Sequence, residues 1–203
     1  MRPVRRVRLA VITIVVTAAA AAGLLAQAAG TQKPKPFEPV VGQAGKDVVW
    51  VPTPQALVEK MLDMAKVTLE DYVIDLGSGD GRNVIAAAKR GAQALGVEYN
   101  LDLVELSQRR AEKEGVADRA RFVQGDMYEA DISEATVLAL FLLPQNLEVL
   151  RPKFARLKPG TRIVSNGYEI PGWEAVEVGN SDGDCGSWCI AYLYVIPARG
   201  DGR

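Results

Sequence analysis

The stretch that most constrains this chain is DYVIDLGSGDGRNV, residues 71–84. Apolar residues run into Asp75, and then Gly77, Gly79 and Gly81 alternate with Ser78 and Asp80. Tyr72–Leu76 reads as a strand, and the residues from Asn83 to Arg90 read as a helix. The glycines make the tight turn between them. Glycine suits such a turn because it tolerates positive φ and lets another group approach the backbone. A strand, a glycine loop and a helix are the first unit of an α/β sheet.

The rest of the chain repeats that alternation. Strands are expected near Gln93–Val97, Arg121–Gln124, Thr136–Leu142 and Arg162–Asn166, with helices over Leu101–Glu114 and Gln145–Leu157. The strands are short apolar runs without clean alternation, as expected where both faces of a parallel sheet are covered. Before the first strand, Thr53 followed by Pro54 reads as a helix start, with the threonine as N-cap and the proline at the first helical position. Leu57, Val58, Met61, Leu62 and Ala65 follow at helical spacing. The segment WEAVEVGNSDGDCGSWCIAYLYVIP holds two strand-like runs with a Gly/Asp/Ser loop between them, which predicts a C-terminal antiparallel hairpin. The fold class is therefore α/β, a doubly wound and mostly parallel sheet ending in a hairpin.

The N-terminus is a separate region. Arg2, Arg5, Arg6 and Arg8 precede an uncharged run, Leu9 to Leu25, and then the A-x-A pattern Ala26-Gln27-Ala28. Residues 1–28 have the layout of a secretory signal peptide or of a short membrane anchor. Either one contacts the membrane, and retention of the positive charge inside directs the remainder outward. Residues 29–47, rich in Pro, Gly and Lys, read as a linker, and 48–203 as the domain.

Charge and composition narrow the function. Residues 1–28 hold four of the 24 basic side chains and none of the 25 acidic ones. The remainder has 20 basic against 25 acidic groups, a formal charge of −5. That balance disfavours nucleic acid as a partner. The chain has no histidine, which excludes a Ser-His-Asp or Cys-His centre and any His-ligated metal. No metal site is expected. Cys185 and Cys189 make a poor zinc site by themselves. A disulfide and two ordinary thiols both remain open readings.

In an open α/β sheet, ligands bind at the carboxyl ends of the strands. Four loops lie there. In the first, the glycines are spaced G-x-G-x-G, which differs from the G-x-G-x-x-G dinucleotide fingerprint. Asp75 and Asp80 would flank a pyrophosphate, at a cost on the order of 4 kcal/mol for each like-charge pair at about 4 Å and an effective dielectric of about 20. Two aspartates suit a ligand with positive charge, such as the sulfonium and ammonium of S-adenosyl-L-methionine. In the second loop, GVEYN, Glu98 lies 19 residues after Gly79 and can accept hydrogen bonds from both ribose hydroxyls. In the third, FVQGDMY, Asp126 can accept from an exocyclic adenine amine, with Met127 against the ring. The fourth runs from ALFL into Leu143-Pro144-Gln145, which also reads as a helix start with Pro144 at its first position.

These segments resemble the class I S-adenosylmethionine-dependent methyltransferases over roughly residues 50–200. The resemblance implies a Rossmann-like sheet of seven strands, into which the terminal hairpin fits. It places Asp75, Gly77, Ser78, Gly79 and Gly81 at the methionine part of the cofactor, Glu98 at the ribose, and Asp126 with Met127 at the adenine. The Asn/Asp-Pro-Pro-aromatic segment common in amine methyltransferases is missing from the fourth loop. The motifs VPTP, DLGSGDGR, GVEYN and LLPQ instead resemble the ATP synthase c-subunit lysine methyltransferases and their prokaryotic relatives. Histone lysine methyltransferases lacking a SET domain are a more distant likeness through DLGSG. The implied acceptor is a lysine amine in a protein, one that can be membrane-associated, with Pro144 and Gln145 expected to position it. A small-molecule acceptor and an exported, non-catalytic binding module are the alternative readings.

Overall fold

The computed structural model describes residues 36–181 and 189–198. Among these residues, strands β1 (Tyr72–Leu76), β2 (Gln93–Glu98), β3 (Ala120–Gln124), β4 (Val137–Leu140), β5 (Arg162–Asn166), β6 (Glu177–Asn180) and β7 (Ile190–Val195) form one sheet. Helices α1 (Gln55–Met64), α2 (Arg82–Lys89), α3 (Leu101–Lys113) and α4 (Pro144–Phe154) accompany it. The strand order is β3-β2-β1-β4-β5-β7-β6. All pairings from β3 to β5 are parallel, and β7 runs antiparallel to both β5 and β6. This is the doubly wound sheet with a terminal hairpin that the sequence predicts.

The missing alternation in the strands has a direct cause: both faces are covered. Val73, Val137, Ala139 and Val164 join α1 and α2 in one core cluster. Their neighbours Ile74, Leu76, Leu138, Leu140 and Ile163 join Leu147, Leu150 and Phe154 of α4 in a second cluster on the opposite face. Successive side chains of a strand point to opposite faces, so a strand between two helical layers needs apolar residues at every position. Each fully buried Leu, Ile or Val contributes about 1.5–3 kcal/mol relative to exposure.

The sheet order sets where a ligand can bind. Strand order reverses between β1 and β4, and the crevice at their carboxyl ends is the switch point. At the opposite ends, Asp71 ties three segments together. Its carboxylate accepts from the Thr68 backbone N–H at 2.8 Å, from Thr136 Oγ1 at 2.7 Å and from the Arg162 guanidinium. Burial opposes ionisation there, but these donors outweigh it and hold Asp71 below the usual carboxylate range.

Two local expectations change. Helix α1 is capped at Pro54 with no side-chain cap, so Thr53 is not its N-cap. The Thr53 hydroxyl instead accepts a hydrogen bond from Asn166 at 3.0 Å. The segment expected as linker also contributes structure, since the compact unit begins at Phe37. Gly42 and Trp50 bond through N–H and C=O at 2.9 Å, as do Trp50 and Gln43, and Ala44 bridges Val49, so residues 42–50 form a small strap. The leader, 1–28, and Cys185 lie outside the described residues, while Cys189 is buried. Among the described residues no helix is long and apolar enough to cross a membrane.

Candidate functional site

A cavity of about 620 Å³ lies along the carboxyl ends of β1–β5. Its walls are the strap, the glycine loop, the loops after β2 and β3, residues Phe141–Leu143 after β4, Asn166 at the end of β5 and Tyr168 beyond it.

The glycine loop is shaped by steric limits at two points. Gly81 precedes α2 with φ of 79°, and a Cβ there would lie 2.7 Å from the Phe122 ring and 2.8 Å from Ser107 Cβ. Gly96 on β2 faces the same crowding, because a Cβ would lie 2.5 Å from Ser78 Oγ. Hydrogen bonds then pin the loop. The N–H groups of Gly77 and Ser78 donate to the Val97 carbonyl at 2.8 and 3.1 Å. Ser107 Oγ donates to the Gly79 carbonyl at 3.1 Å.

Glu98 joins two loops. Its Oε2 accepts from the Gly79 N–H and its Oε1 from the Asn100 N–H, both at 2.9 Å. Each carboxylate oxygen retains further acceptor capacity. The half-buried side chain lines the cavity, at the end of β2 where a ribose acceptor is expected.

The two aspartates of the first loop behave differently from each other. Asp75 is 3% exposed, lines the cavity and accepts from Asn83 Nδ2 at 3.0 Å. Burial raises its pKa well above the ordinary value. Asn83 opposes that shift, while the charges of Glu98 and Asp80 add to it. Asp80 is held by Arg82, through Nε at 2.9 Å and a terminal nitrogen at 2.5 Å, and by Arg110 at 2.5 Å. Burial would raise its pKa, but the two guanidinium groups outweigh burial and lower it. The expectation that both aspartates offer charge to a cation is therefore corrected. Asp80 also lines the cavity, but arginines compensate its charge, so among the described residues the acids of these two loops that face a ligand without an ion pair are Asp75 and Glu98. Arg82 also donates to the Thr53 carbonyl at 2.6 Å, joining the VPTP segment to the glycine loop.

Asp126 and Met127 line the cavity after β3. Asp126 Oδ1 accepts from the Tyr128 N–H at 2.9 Å, and Oδ2 receives Lys46 Nζ at 2.5 Å. The Lys46 bond, followed by the Tyr128 N–H, keeps the Asp126 carboxyl below its ordinary pKa.

The remaining expected residues fall elsewhere. Gly81 is buried behind the loop and is absent from the cavity wall. Pro144 and Gln145 are exposed at the start of α4, and neither lines the cavity. Leu143 does, together with Phe141 and Leu142. Sequence reasoning missed Lys46, Trp50, Asn83, Asn166 and Tyr168. Of these, Asn83 carried a signal, since it is the first polar residue after the glycine-loop arginine.

A buried acid beside a glycine loop, an acid at each of the next two strand ends, and a parallel sheet with an inserted antiparallel β7 define a class I methyltransferase. The chain belongs to the ANTKMT methyltransferase domain family, which its residues 75–177 match. It is similar to a protein-lysine N-methyltransferase from Saccharolobus islandicus, with 48% identity over 153 residues that cover 73% of this chain and 94% of the relative. It is 37% identical to the ATP synthase c-subunit lysine N-methyltransferase of Xenopus laevis, over 61% of this chain and 55% of that longer relative. The chain thus spans about half the length of that animal enzyme. A solved RNA methyltransferase from Salinibacter ruber, in complex with S-adenosyl-L-homocysteine, is 44% identical with a TM-score of 0.67, over 72% of this chain and 94% of that one. The chain is an S-adenosylmethionine-dependent methyltransferase.

The cavity residues fit that cofactor. Ser78 Oγ and Asn83 Oδ1, both on the glycine-loop side, are buried without a hydrogen-bond partner in the protein. Buried polar atoms ordinarily have partners, and a polar ligand can supply them.

Proposed function

We propose that this chain is a protein-lysine N-methyltransferase. The observation that carries this reading is the apolar part of the cavity after β4, where Phe141, Leu142 and Leu143 continue the wall beyond the glycine loop. A lysine amine must be neutral to act as nucleophile, and its reference pKa is about 10.4. Desolvation against such a wall favours the neutral form. The Saccharolobus and Xenopus relatives, both named as lysine methyltransferases, support the same acceptor.

We assign Asp75, Gly77, Ser78 and Gly79 to the methionine part of the cofactor, Glu98 to the ribose, and Asp126 with Met127 to the adenine. Bound there, S-adenosyl-L-methionine supplies an activated methyl group. The protein's part is to orient the acceptor and exclude water, and alignment of this kind supplies roughly 7–11 kcal/mol of a barrier. The exposed ends of Pro144 and Gln145 make them candidates for contact with the protein that carries the lysine, outside the cavity. Residues 1–28 support a membrane-directed address and a membrane-associated substrate. N-terminal sequencing of the protein from fractionated cells tests that address.

The deciding experiment supplies methyl-tritiated cofactor and a cell extract to the full chain. Methyl-lysine in acid hydrolysates of the labelled protein is the expected product. Label recovered only in RNA, as the name of the Salinibacter relative suggests for that protein, or only in small molecules, would overturn the lysine reading.

A further inference from the structure

The cavity extends beyond the parts assigned to the cofactor. The ends of β3, β2 and β1 are taken by Asp126, Glu98 and the glycine loop. The wall then continues past Phe141–Leu143 to Asn166, the last residue of β5. Asn166 is 2% exposed. Its Nδ2 donates to Thr53 Oγ1 at 3.0 Å, which tethers the side chain to the segment before α1. Its Oδ1 is buried and has no hydrogen-bond partner. A buried acceptor left without a donor is unfavourable, and a ligand N–H in the cavity would relieve it.

We propose that Asn166 Oδ1, on a side chain tethered by Thr53, is the subsite for the acceptor amine. This rests on the lysine reading above. The oxygen accepts one N–H of the amine and turns the nitrogen lone pair toward the glycine-loop end of the cavity. An amide suits this task better than a carboxylate. A carboxylate stabilises the ammonium form, which has no lone pair to offer, whereas a neutral amide oxygen accepts an N–H without holding the extra proton. Phe141 and Leu142, which line the same cavity, strengthen the bond by lowering the local dielectric.

The test compares two ligands of the full chain by calorimetry. One is S-adenosyl-L-homocysteine. The other is sinefungin, a cofactor analogue that carries a primary amine near the position of the transferred methyl. Wild type is expected to prefer sinefungin. Asn166→Leu should lose about tenfold or more of that preference, as for a hydrogen bond to a charged group. Its unchanged affinity for S-adenosyl-L-homocysteine serves as the control for folding. Asn166→Asp should keep or increase the preference and move the pH–rate profile for methyl transfer to higher pH, because the new carboxylate holds the amine protonated. Two results would overturn the subsite. One is an unaltered ligand ratio in Asn166→Leu. The other is equal weakening of both ligands in Asn166→Asp, which means that the side chain contacts the cofactor and not the acceptor amine. Failure of the lysine reading appears separately, as hydrolysates without methyl-lysine, and the ligand ratio in Asn166→Leu still decides the subsite.

Discussion

Lys46 Nζ lies 2.5 Å from Asp126 Oδ2, joining two cavity-lining residues 80 positions apart, and the same ammonium sits 5.1 Å from the centroid of the Tyr99 ring. The bond takes up part of the acceptor capacity of the carboxylate that the proposed cofactor placement gives to an adenine amine. Lys46 and the adenine therefore compete. Lys46→Ala should raise the affinity for S-adenosyl-L-homocysteine about two- to fivefold at low salt, the scale of one surface ion pair. The gain should shrink in about 1 M salt, where screening weakens the pair. Calorimetry at both salt concentrations measures this, and a loss of affinity would mean that the strap grips the ligand.

Glu98 binds two loops through the N–H groups of Gly79 and Asn100. Glu98→Ala leaves both donors without this acceptor and removes the ribose acceptor. The expected result is a loss of about ten- to a hundredfold in affinity for S-adenosyl-L-homocysteine, the scale of charge-assisted hydrogen bonds. Glu98→Gln should fall between that variant and wild type, because it retains one acceptor oxygen. An undiminished affinity in the alanine variant would remove Glu98 from the site.

Asp75 gives a pH-dependent signature. Its folded-state pKa is raised well above the ordinary value, chiefly by burial. The folded chain then holds a proton that the unfolded chain releases at the ordinary carboxylate pKa of about 4. This group's contribution to stability is fully present below that value and is lost as pH rises through the folded pKa. Asp75→Asn should therefore raise Tm at pH 7, by about 2–4 °C for each kcal/mol recovered. Thermal scans should show the gain disappearing near pH 4. The same substitution should weaken cofactor binding, since it removes an acid that faces the ligand.

Gly81→Ala tests the packing behind the loop. Positive φ and contacts of 2.7–2.8 Å with Phe122 and Ser107 leave no room for a methyl group. A loss of about 1–3 kcal/mol is expected from overpacking, read as a lower urea midpoint. Gly115→Ala is the control, because its φ is 71° and a Cβ there meets nothing within 4 Å. It should show the backbone cost alone.

Most of the scaffold was legible because its signals are local. Tyr72–Leu76 and Arg162–Asn166 are strands over the expected residues. The glycine spacing located the turn before α2. The acids Asp75, Glu98 and Asp126 could be paired with a ligand because each lies at or just after a strand end, and strand ends converge in a parallel sheet. Thr53-Pro54 misled for an equally physical reason. A hydroxyl before a helix satisfies the capping pattern, but the pattern cannot register that Asn166, 113 positions away, bonds the same oxygen.

By itself, the sequence determined the α/β class, the order of the parallel strands' loops along the chain, and the three acids that reach one crevice. These follow from hydrophobic periodicity and from the freedom of glycine in turns, which act over a few residues. Only the tertiary structure decided how each charge is used. It turned Asp80 toward Arg82 and Arg110, brought Lys46 from the strap onto Asp126, and left Asn166 Oδ1 without a partner. A carboxylate's role depends on whichever donors and charges lie within a few ångströms of it. Those neighbours come from distant parts of the chain, so no local pattern carries them.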